Sequence, residues 1–230
     1  MSFFQNTCKP NGIGGKIMVS MMNAGHFAMA NWGFTHIKIA ETDICLDIGC
    51  GGGANVKRLL KKSPRGKVTG IDYSEISVAK SKKVNRAEIA AGRCEILQGD
   101  AARLPFADNT FDVVTAFETI YFWQDIQTAF REVYRVLKNG GTFMICNEIN
   151  GKASGGEKWT DIVQGMTVYN AEQIENLLTA AGFFDVRIRE NKKGWINAGG
   201  KKNAECIIKL KVENGKWKVE SGLSGKWKVE

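Results

Sequence analysis

The chain has 230 residues, 43% of them hydrophobic and 24% charged, a composition that suits one globular domain with a full core. No apolar run approaches the roughly 18 residues that can span a bilayer, and the N-terminus lacks the basic and apolar regions of a secretory signal. We therefore expect no transmembrane segment and a cytoplasmic location. The six cysteines are scattered without a Cys-x-x-Cys pair, which favours reduced thiols over a disulfide framework or a metal site.

The N-terminal part of the chain predicts helices. Residues 12–34 are rich in Met, Ala, Gly and aromatic side chains, which indicates one or two helices broken near Gly25. Methionine adapts to surfaces of varied shape, so these helices could form a flexible cap over a pocket. Packing on the edge of the core is an equally good interpretation. We assign residues 1–40 to a helical cap that belongs to the same domain as the residues after it.

From Asp43 onward, short apolar strands alternate with amphipathic helices. The predicted strands are 44–48, 67–71, 94–98, 111–116 and 142–147. The predicted helices are 54–62, 74–91, 125–138 and 170–181. This alternation is typical of a largely parallel sheet covered by helices on both faces, with the ligand beyond the carboxyl ends of the strands. We assign residues 41–200 to this domain.

Residues 201–230 form a basic tail with a different pattern. Alternating apolar and polar residues on both sides of Asn214-Gly215 predict a type I′ hairpin in which Val212 lies opposite Trp217. The segment Gly-Lys-Trp-Lys-Val-Glu then occurs twice. A third strand, a docking arm and a short duplication all remain open. A homodimer contact and an anionic surface are the partners that we consider for this tail.

The most informative stretch of the sequence follows the first predicted strand. Residues 46–53 read Leu-Asp-Ile-Gly-Cys-Gly-Gly-Gly, so a buried strand runs directly into a glycine-rich turn. Glycine lets the backbone approach a nucleotide-like ligand closely. Asp47 at the mouth of the turn would repel a pyrophosphate and attract a cation. This pattern favours S-adenosylmethionine (SAM), which carries a positive sulfonium and amino group, over a dinucleotide.

Four acidic residues end successive predicted strands, namely Asp47, Asp72, Asp100 and Glu118. The carboxyl ends of parallel strands share one edge of the sheet, so we expect these residues to lie together. Asp72 can accept hydrogen bonds from both ribose hydroxyls, and Asp100 can accept one from the adenine amine while the Ala101 N–H donates to the ring. Glu118 would lie near the reactive end of the ligand. Each acid alone also has a structural interpretation, such as an acid at a helix start.

These motifs resemble, in order and spacing, those of the class I SAM-dependent methyltransferases. The resemblance rests on the segments 46–53, 70–72, 99–101, 104–112 and 136–141, and it is closest to the small-molecule branch that includes the ubiquinone/menaquinone-biosynthesis methyltransferases. It implies an α/β fold, a Rossmann-like doubly wound seven-stranded sheet with an antiparallel last strand. Whether 194–199 or 205–212 forms that last strand is open. The candidate cofactor-binding residues are Asp47, Gly49, Cys50, Gly51, Asp72, Tyr73, Gly99, Asp100, Ala101 and Glu118.

Residues near the expected position of the methyl group are candidates for the site that binds the methyl acceptor. A general base is needed only if the acceptor must lose a proton, and His26 and Tyr121 are the candidate catalytic residues. The aromatic run of residues 121–123 could wall an acceptor pocket or face the sulfonium, although core packing explains it equally well. The candidate acceptor pocket comprises His26, Trp32, Tyr121 and Trp123. We expect no metal.

The sequence therefore predicts methyl transfer from SAM to a small organic acceptor by in-line displacement, in which alignment and desolvation supply most of the acceleration. A non-catalytic SAM-binding protein that docks a partner through its basic tail is one alternative. An NAD(P)-binding oxidoreductase is another, because Gly49-x-Gly51-x-x-Ala54 also fits the dinucleotide fingerprint. A nucleic acid substrate is not expected, since residues 118–121 read Glu-Thr-Ile-Tyr and lack the Pro-Pro-aromatic run that resembles amino-methylating enzymes.

Overall fold

The computed structural model describes residues 12–151, 160–203, 208–213 and 216–221. The helices with bounds inside these ranges are α1 (Gly12–Gly25), α2 (Phe27–Gly33), α3 (Ala54–Lys62), α4 (Glu75–Val84), α5 (Arg86–Ala90), α6 (Ile126–Val136) and α7 (Ala171–Ala180). The strands are β1 (Ile44–Ile48), β2 (Lys67–Asp72), β3 (Cys94–Gln98), β4 (Phe111–Phe117), β5 (Leu137–Asn147), β6 (Phe184–Glu190), β7 (Ile196–Lys201), β8 (Ile208–Glu213) and β9 (Lys216–Ser221). None of the described helices is both long and apolar enough to cross a membrane.

Seven strands form one sheet in the order β3-β2-β1-β4-β5-β7-β6. The first five strands pair in parallel, and β7 is antiparallel to both of its neighbours, β5 and β6. The predicted fold class is therefore confirmed. The antiparallel strand is 196–201, close to the first of the two segments that the sequence left open, with Thr142 opposite Lys201 and Asn147 opposite Ile196.

The central strands β1 and β4 are buried over most of their length because both faces of the sheet are covered there. In β5, Phe143 and Ile145 belong to one core layer, while Met144 and Cys146 belong to the layer on the other face. The first layer also contains the apolar stripe of α6, including Phe130. The second layer contains the buried residues of α2 and α3. This two-sided burial is what parallel strands require, since each crossover helix must cover one face of the sheet.

Helix α2 packs on the core, which positions the residues of the N-terminal segment. Met29 and Ala30 are fully buried. The helix lies so close to β5 that a Cβ atom on Gly33 would stand 2.7 Å from the sulfur of Cys146. The residue before this helix, His26, is thereby held at the carboxyl end of the sheet. Packing on the core is the better description of this helix.

The helix predicted over residues 74–91 is divided in two at Asn85. Ser74 begins α4, and its hydroxyl accepts the Ser77 N–H. Asn85 is 2% exposed, and its side-chain amide donates to the carbonyls of Gly53 and Ser81. The buried amide thus ties the end of α4 to the glycine-rich turn. A single asparagine inside a polar helical stretch gives no sign of this contact in the sequence.

The tail contains the predicted hairpin. Strands β8 and β9 pair antiparallel in a separate two-stranded sheet, with Val212 opposite Trp217 and Leu210 opposite Val219. This register confirms the predicted one. The turn at residues 214–215 and the second copy of the repeated segment, residues 225–230, lie outside the described residues.

The seven-stranded sheet is complete at Lys201, so we expect it to fold without the tail. Removal of residues 204–230 should leave the thermal unfolding midpoint within a few degrees of the full-length value. Removal of residues 195–230 should abolish cooperative unfolding, because it takes away β7, which lies between β5 and β6. Circular dichroism melts of both variants provide the measurement. A shorter chain without residues 204–230 that fails to fold would show that the tail belongs to the core.

Candidate functional site

Two adjoining cavities lie at the carboxyl ends of the parallel strands. They share a wall made of Gly49, Asp72, Tyr73, Thr119 and Phe122. The first cavity extends towards His26, Arg58 and Glu118. The second extends towards Gly99, Asp100, Ala101 and Trp123. Together they form a continuous cleft across β1, β2, β3 and β4, the position expected for a nucleotide-like ligand in a doubly wound sheet.

The glycine-rich turn is folded tightly onto the end of β2. Gly49, Gly51 and Gly53 all have positive φ angles, of 67°, 50° and 81°. The N–H groups of Gly49 and Cys50 donate to the Ile71 carbonyl at 2.8 and 3.1 Å. A Cβ atom on Gly49 would stand 2.0 Å from Thr119 Oγ1, so the close approach of the turn to β4 requires glycine there.

Asp72 joins the glycine-rich turn to the start of α4. One carboxylate oxygen accepts the Gly51 N–H at 2.8 Å, and the other accepts the Ser74 N–H at 2.9 Å. The residue is 7% exposed and lines both cavities. Burial raises the pKa of this carboxyl, although the two backbone hydrogen bonds act in the opposite direction. Each oxygen retains acceptor capacity for a further donor, as a pair of ribose hydroxyls would supply.

Asp47 lies beneath the turn and does not line either cavity. It is 1% exposed, and Thr115 Oγ1 donates to its carboxylate at 2.7 Å. Burial raises its pKa to about 7, and the charge of Asp72 acts in the same direction. The Thr115 hydrogen bond and the charge of Arg58 lower it. Asp47 can therefore act on a ligand only through its charge, and not through direct contact.

The second cavity holds the residues predicted for an adenine ring. Asp100 is exposed, and one of its carboxylate oxygens accepts the Ala102 N–H at 2.9 Å. The Gly99 N–H donates to the Asp72 carbonyl at 3.0 Å, so this glycine shapes the loop and contributes no free donor. Ala101 lines the cavity beside Asp100. Cys50 lines the first cavity, and its sulfur lies 3.8 Å from Ser81 Oγ in the core.

At the far end of the first cavity, Glu118 occupies an unusual backbone conformation with φ of 55°. One of its carboxylate oxygens, Oε1, accepts the Glu148 N–H in a short hydrogen bond and the Tyr121 hydroxyl at 3.3 Å. Burial raises the pKa of Glu118 to about 8, and the charge of Glu148 adds to this effect.

His26 faces the second oxygen of this carboxylate. Its Nε2 atom lies 4.0 Å from Glu118 Oε2 and 3.9 Å from Glu148 Oε2. Burial lowers the pKa of the imidazole, whereas the charge of Glu148 raises it. One imidazole and two carboxylates therefore converge at the same end of the cleft.

The structure places the other predicted acceptor residues differently from the sequence. Tyr121 is 2% exposed and lines neither cavity; its hydroxyl accepts the Ile149 N–H at 3.0 Å and donates to Glu118, so it positions Glu118. Burial raises its pKa well above the usual value. Trp123 lines the second cavity, next to Asp100. Trp32 packs against His36 and Trp195 and, as far as the described residues show, lines neither cavity.

Sequence reasoning missed Arg58, Thr119 and Glu148, whereas Phe122, which lines both cavities, belongs to the predicted aromatic run. Arg58 lines the first cavity, donates to Asn55 Oδ1 at 3.0 Å and lies over the Phe27 ring at 4.7 Å. The signal available was its place one turn into the helix that follows the glycines. Glu148 follows a predicted strand, as the four predicted acids do, and the same argument applied to the fifth strand would have found it.

Known proteins resemble this chain in both sequence and fold. A family model described as a methyltransferase domain matches residues 46–145. The chain is 37% identical over 100 residues to cycloartenol-C-24-methyltransferase 1 of Oryza sativa subsp. japonica, over 44% of this chain and 29% of that protein. It is 39% identical over 100 residues to the ubiquinone/menaquinone biosynthesis C-methyltransferase UbiE of Cereibacter sphaeroides, over 44% of this chain and 40% of that protein. The match thus spans less than half of either relative.

The fold comparison agrees with the sequence comparison. The crystal structure of a SAM-dependent methyltransferase from Aquifex aeolicus matches with a TM-score of 0.69 at 20% identity, over 81% of this chain and 98% of that chain. Residues 46–145 are thus similar in sequence to a methyltransferase domain, and the fold that contains them is that of a solved methyltransferase. The resemblance inferred from the motifs is therefore confirmed, and SAM is the cofactor of this family. Within the methyltransferase domain lie Gly49, Asp72, Asp100 and Glu118, whereas His26 and Glu148 lie outside the matched segment.

Substitution of two glycines in the glycine-rich turn distinguishes the cost of a steric clash from the cost of backbone strain. Alanine at either Gly49 or Gly51 adopts a positive φ, which costs roughly 1–2 kcal/mol. A Cβ atom on Gly51 meets no atom within 4 Å, whereas a Cβ atom on Gly49 meets Thr119. We expect Gly49→Ala to lower the free energy of unfolding by about 1–3 kcal/mol more than Gly51→Ala does. Urea unfolding measures both values, and equal losses would contradict the close approach.

The raised pKa of Asp47 makes stability depend on pH. The unfolded chain ionises this acid near its usual value of about 4, whereas the folded protein ionises it at about 7. The stability that this group contributes is complete below about pH 4 and is lost as the pH rises through 7. We expect Asp47→Asn, which still accepts the Thr115 hydroxyl, to raise the free energy of unfolding at pH 8 by up to about 4 kcal/mol.

At pH 4 the same substitution should change little, because the carboxyl is then neutral in the folded protein. Urea unfolding of both proteins at the two pH values measures the difference. An advantage of Asp47→Asn that is equal at pH 4 and pH 8 would show that the ionisation of this acid is not its cause.

Proposed function

We propose that the protein is a SAM-dependent methyltransferase that transfers a methyl group to a small organic acceptor. The observation that carries the proposal is the cleft itself, in which the glycine-rich turn, Asp72 and Asp100 follow one another along the carboxyl edge of the sheet. The matched methyltransferase domain supports the choice of SAM over a dinucleotide. The two relatives named above act, by their names, on a sterol and in quinone biosynthesis, which supports a small organic acceptor and not a nucleic acid.

The residues of the cleft fit the parts of SAM. Asp72 would accept hydrogen bonds from the ribose hydroxyls, and Asp100 would accept one from the adenine amine, next to Ala101. Tyr73 and Trp123 would flank the base. The methionine part would lie against the turn at Gly49 and Gly51, above the negative charge of Asp47. SAM supplies a methyl group on a positive sulfur, an excellent leaving group.

The role of this chain is then to align the acceptor and to exclude water. The first cavity is walled by Phe117 and Phe122 and is bordered by the N-terminal segment that carries His26. Exclusion of water strengthens the attraction between the buried acids and a positive ligand. In-line attack requires a nucleophile opposite the sulfur, which puts the acceptor at the end of the cleft formed by His26 and Glu118. A cytoplasmic location belongs to this proposal.

Calorimetric titration with SAM tests the proposal, with NADH and NADPH as controls. Binding of SAM alone at micromolar concentration is expected, followed by release of S-adenosylhomocysteine when an acceptor is supplied. Binding of SAM without turnover by any acceptor in a small-molecule extract would favour the non-catalytic alternative. Binding of a nicotinamide cofactor in place of SAM would overturn the proposal.

Two matched variants test the binding roles of the acids. We expect Asp72→Asn to weaken SAM binding by about 1–3 kcal/mol, since it removes charged hydrogen bonds to the ribose. Asp100→Asn should change the affinity much less, because its amide oxygen still accepts a hydrogen bond from the adenine amine. Titration calorimetry measures both affinities, and circular dichroism checks that each variant is folded. Unchanged affinity in a folded Asp72→Asn protein would remove Asp72 from this role.

A further inference from the structure

The group formed by His26, Glu118 and Glu148, here called the acceptor triad, offers three hydrogen-bond acceptors around one point. The imidazole Nε2 lies 4.0 and 3.9 Å from the nearest carboxylate oxygens of the two glutamates, and the three ligand atoms all lie within 4.8 Å of one another. His26 and Glu118 line the first cavity. The triad therefore stands at the reacting end of the cleft, and two of its members come from outside the matched methyltransferase segment.

The surrounding structure holds the triad in place. Glu118 Oε1 accepts from the Glu148 N–H and the Tyr121 hydroxyl, which leaves Oε2 directed at His26. Tyr121 is fixed in turn by the Ile149 N–H. His26 is carried by the helix that packs against Cys146 through Met29 and Gly33. The acceptor atoms are thus preorganised before any ligand arrives.

Burial raises the pKa of Glu118 to about 8, so a cation bound beside this carboxyl would favour its ionised form and be attracted by the charge that forms. The lowered pKa of His26 leaves its imidazole neutral at pH 7, so Nε2 can act as an acceptor or a base. Among the described residues that line the first cavity, Arg58 is the one Lys or Arg, and its guanidinium donates to Asn31 and Asn55. A cation with several N–H donors is what this arrangement lacks.

We propose that the acceptor triad binds an amine as its ammonium ion, with the N–H groups directed at His26, Glu118 and Glu148, so that the protein is an N-methyltransferase of small amines. This inference rests on the proposed SAM-dependent activity. An ammonium nitrogen at ordinary hydrogen-bond distances, about 2.8–3.0 Å, from three acceptors fits their observed spacing.

The reaction at this site balances as follows. The ammonium ion transfers one proton to His26 Nε2, which is 29% exposed at its side chain and can release it to water. The amine, still held by the two glutamates, turns its freed lone pair away from His26 and towards the methyl carbon, and forms a bond to that carbon. The bond from that carbon to sulfur breaks, its electron pair stays on sulfur, and S-adenosylhomocysteine leaves. The product is the methylated ammonium ion, which keeps the contacts to the two glutamates.

The test uses sinefungin, a SAM analogue in which a carbon bearing an ammonium group replaces the methylated sulfur. Its affinity for the full-length protein is compared by calorimetry with that of S-adenosylhomocysteine, which has no positive charge at this position. The variants are Glu148→Gln, Glu118→Gln and His26→Ala. Glu175→Gln, on the exposed face of α7, is the matched control.

We expect the wild-type protein to bind sinefungin at least about tenfold more tightly than S-adenosylhomocysteine, a difference of about 1.4 kcal/mol. Glu148→Gln should remove most of this preference and leave the affinity for S-adenosylhomocysteine within about twofold, while Glu175→Gln should keep it. Equal binding of the two analogues by the wild type, or a preference that survives in all three triad variants, would overturn the inference. If neither analogue binds, the proposed function itself fails, which is a different result.

Two further experiments test whether the triad binds a ligand other than an ammonium ion. A titration with Mn²⁺ or Zn²⁺ that shows one tightly bound ion, lost in Glu148→Gln, would replace the ammonium site by a metal site. In the second experiment, a small-molecule extract that accepts labelled methyl groups from SAM is treated with an ester that acylates amines. Hydroxylamine then restores the hydroxyl and thiol groups, so that only the amines stay blocked. Loss of its acceptor activity supports an amine. Full retention overturns the inference.

Discussion

The carboxylate of Asp72 is the contact on which the rest of the site depends. Its two oxygens hold the Gly51 N–H and the Ser74 N–H, so one side chain at the end of β2 fixes the turn after β1 and the start of α4. Gly49 completes this arrangement through its approach to Thr119 at the end of β4. Three strand ends are thereby set at defined distances, and the two cavities are the space that remains between them.

The donor side and the acceptor side of the cleft have different origins in the chain. The side proposed to bind SAM lies inside the matched methyltransferase segment and is built by the ends of β1, β2 and β3. The acceptor side combines Glu118 with His26 and Glu148, which come from segments before and after it. The helix that follows His26 is anchored in the core at Met29. The proposed acceptor contacts thus depend on segments that lie before and after the matched one.

Most of the fold and of the donor side could be predicted from the sequence, because strand periodicity and glycine positions report directly on backbone geometry. The hairpin register followed from Asn214-Gly215 for the same reason. The acceptor side was harder. The sequence correctly predicted that Tyr121 lies near Glu118. Whether the Tyr121 hydroxyl faces the cavity or the core depends on the short 3-10 helix Ile120–Phe122, and no sequence pattern predicted that helix. Trp32 was assigned to the acceptor pocket from its residue type alone. It contacts Trp195 instead, a residue far from it in the sequence.

The buried acids explain why such a cleft is costly to maintain when it holds no ligand. Asp47 and Glu118 have pKa values raised to about 7 and about 8 because burial disfavours their charged forms. In a core without a bound cation these acids lower the stability of the protein, because a hydrophobic residue of similar size would pack there without a desolvation cost. At the carboxyl edge of the sheet they become an attraction for positive charge, which grows when water is excluded. A cation bound in the cleft would lower both pKa values and stabilise the fold, so the binding of a positive ligand and the stability of the cleft are linked.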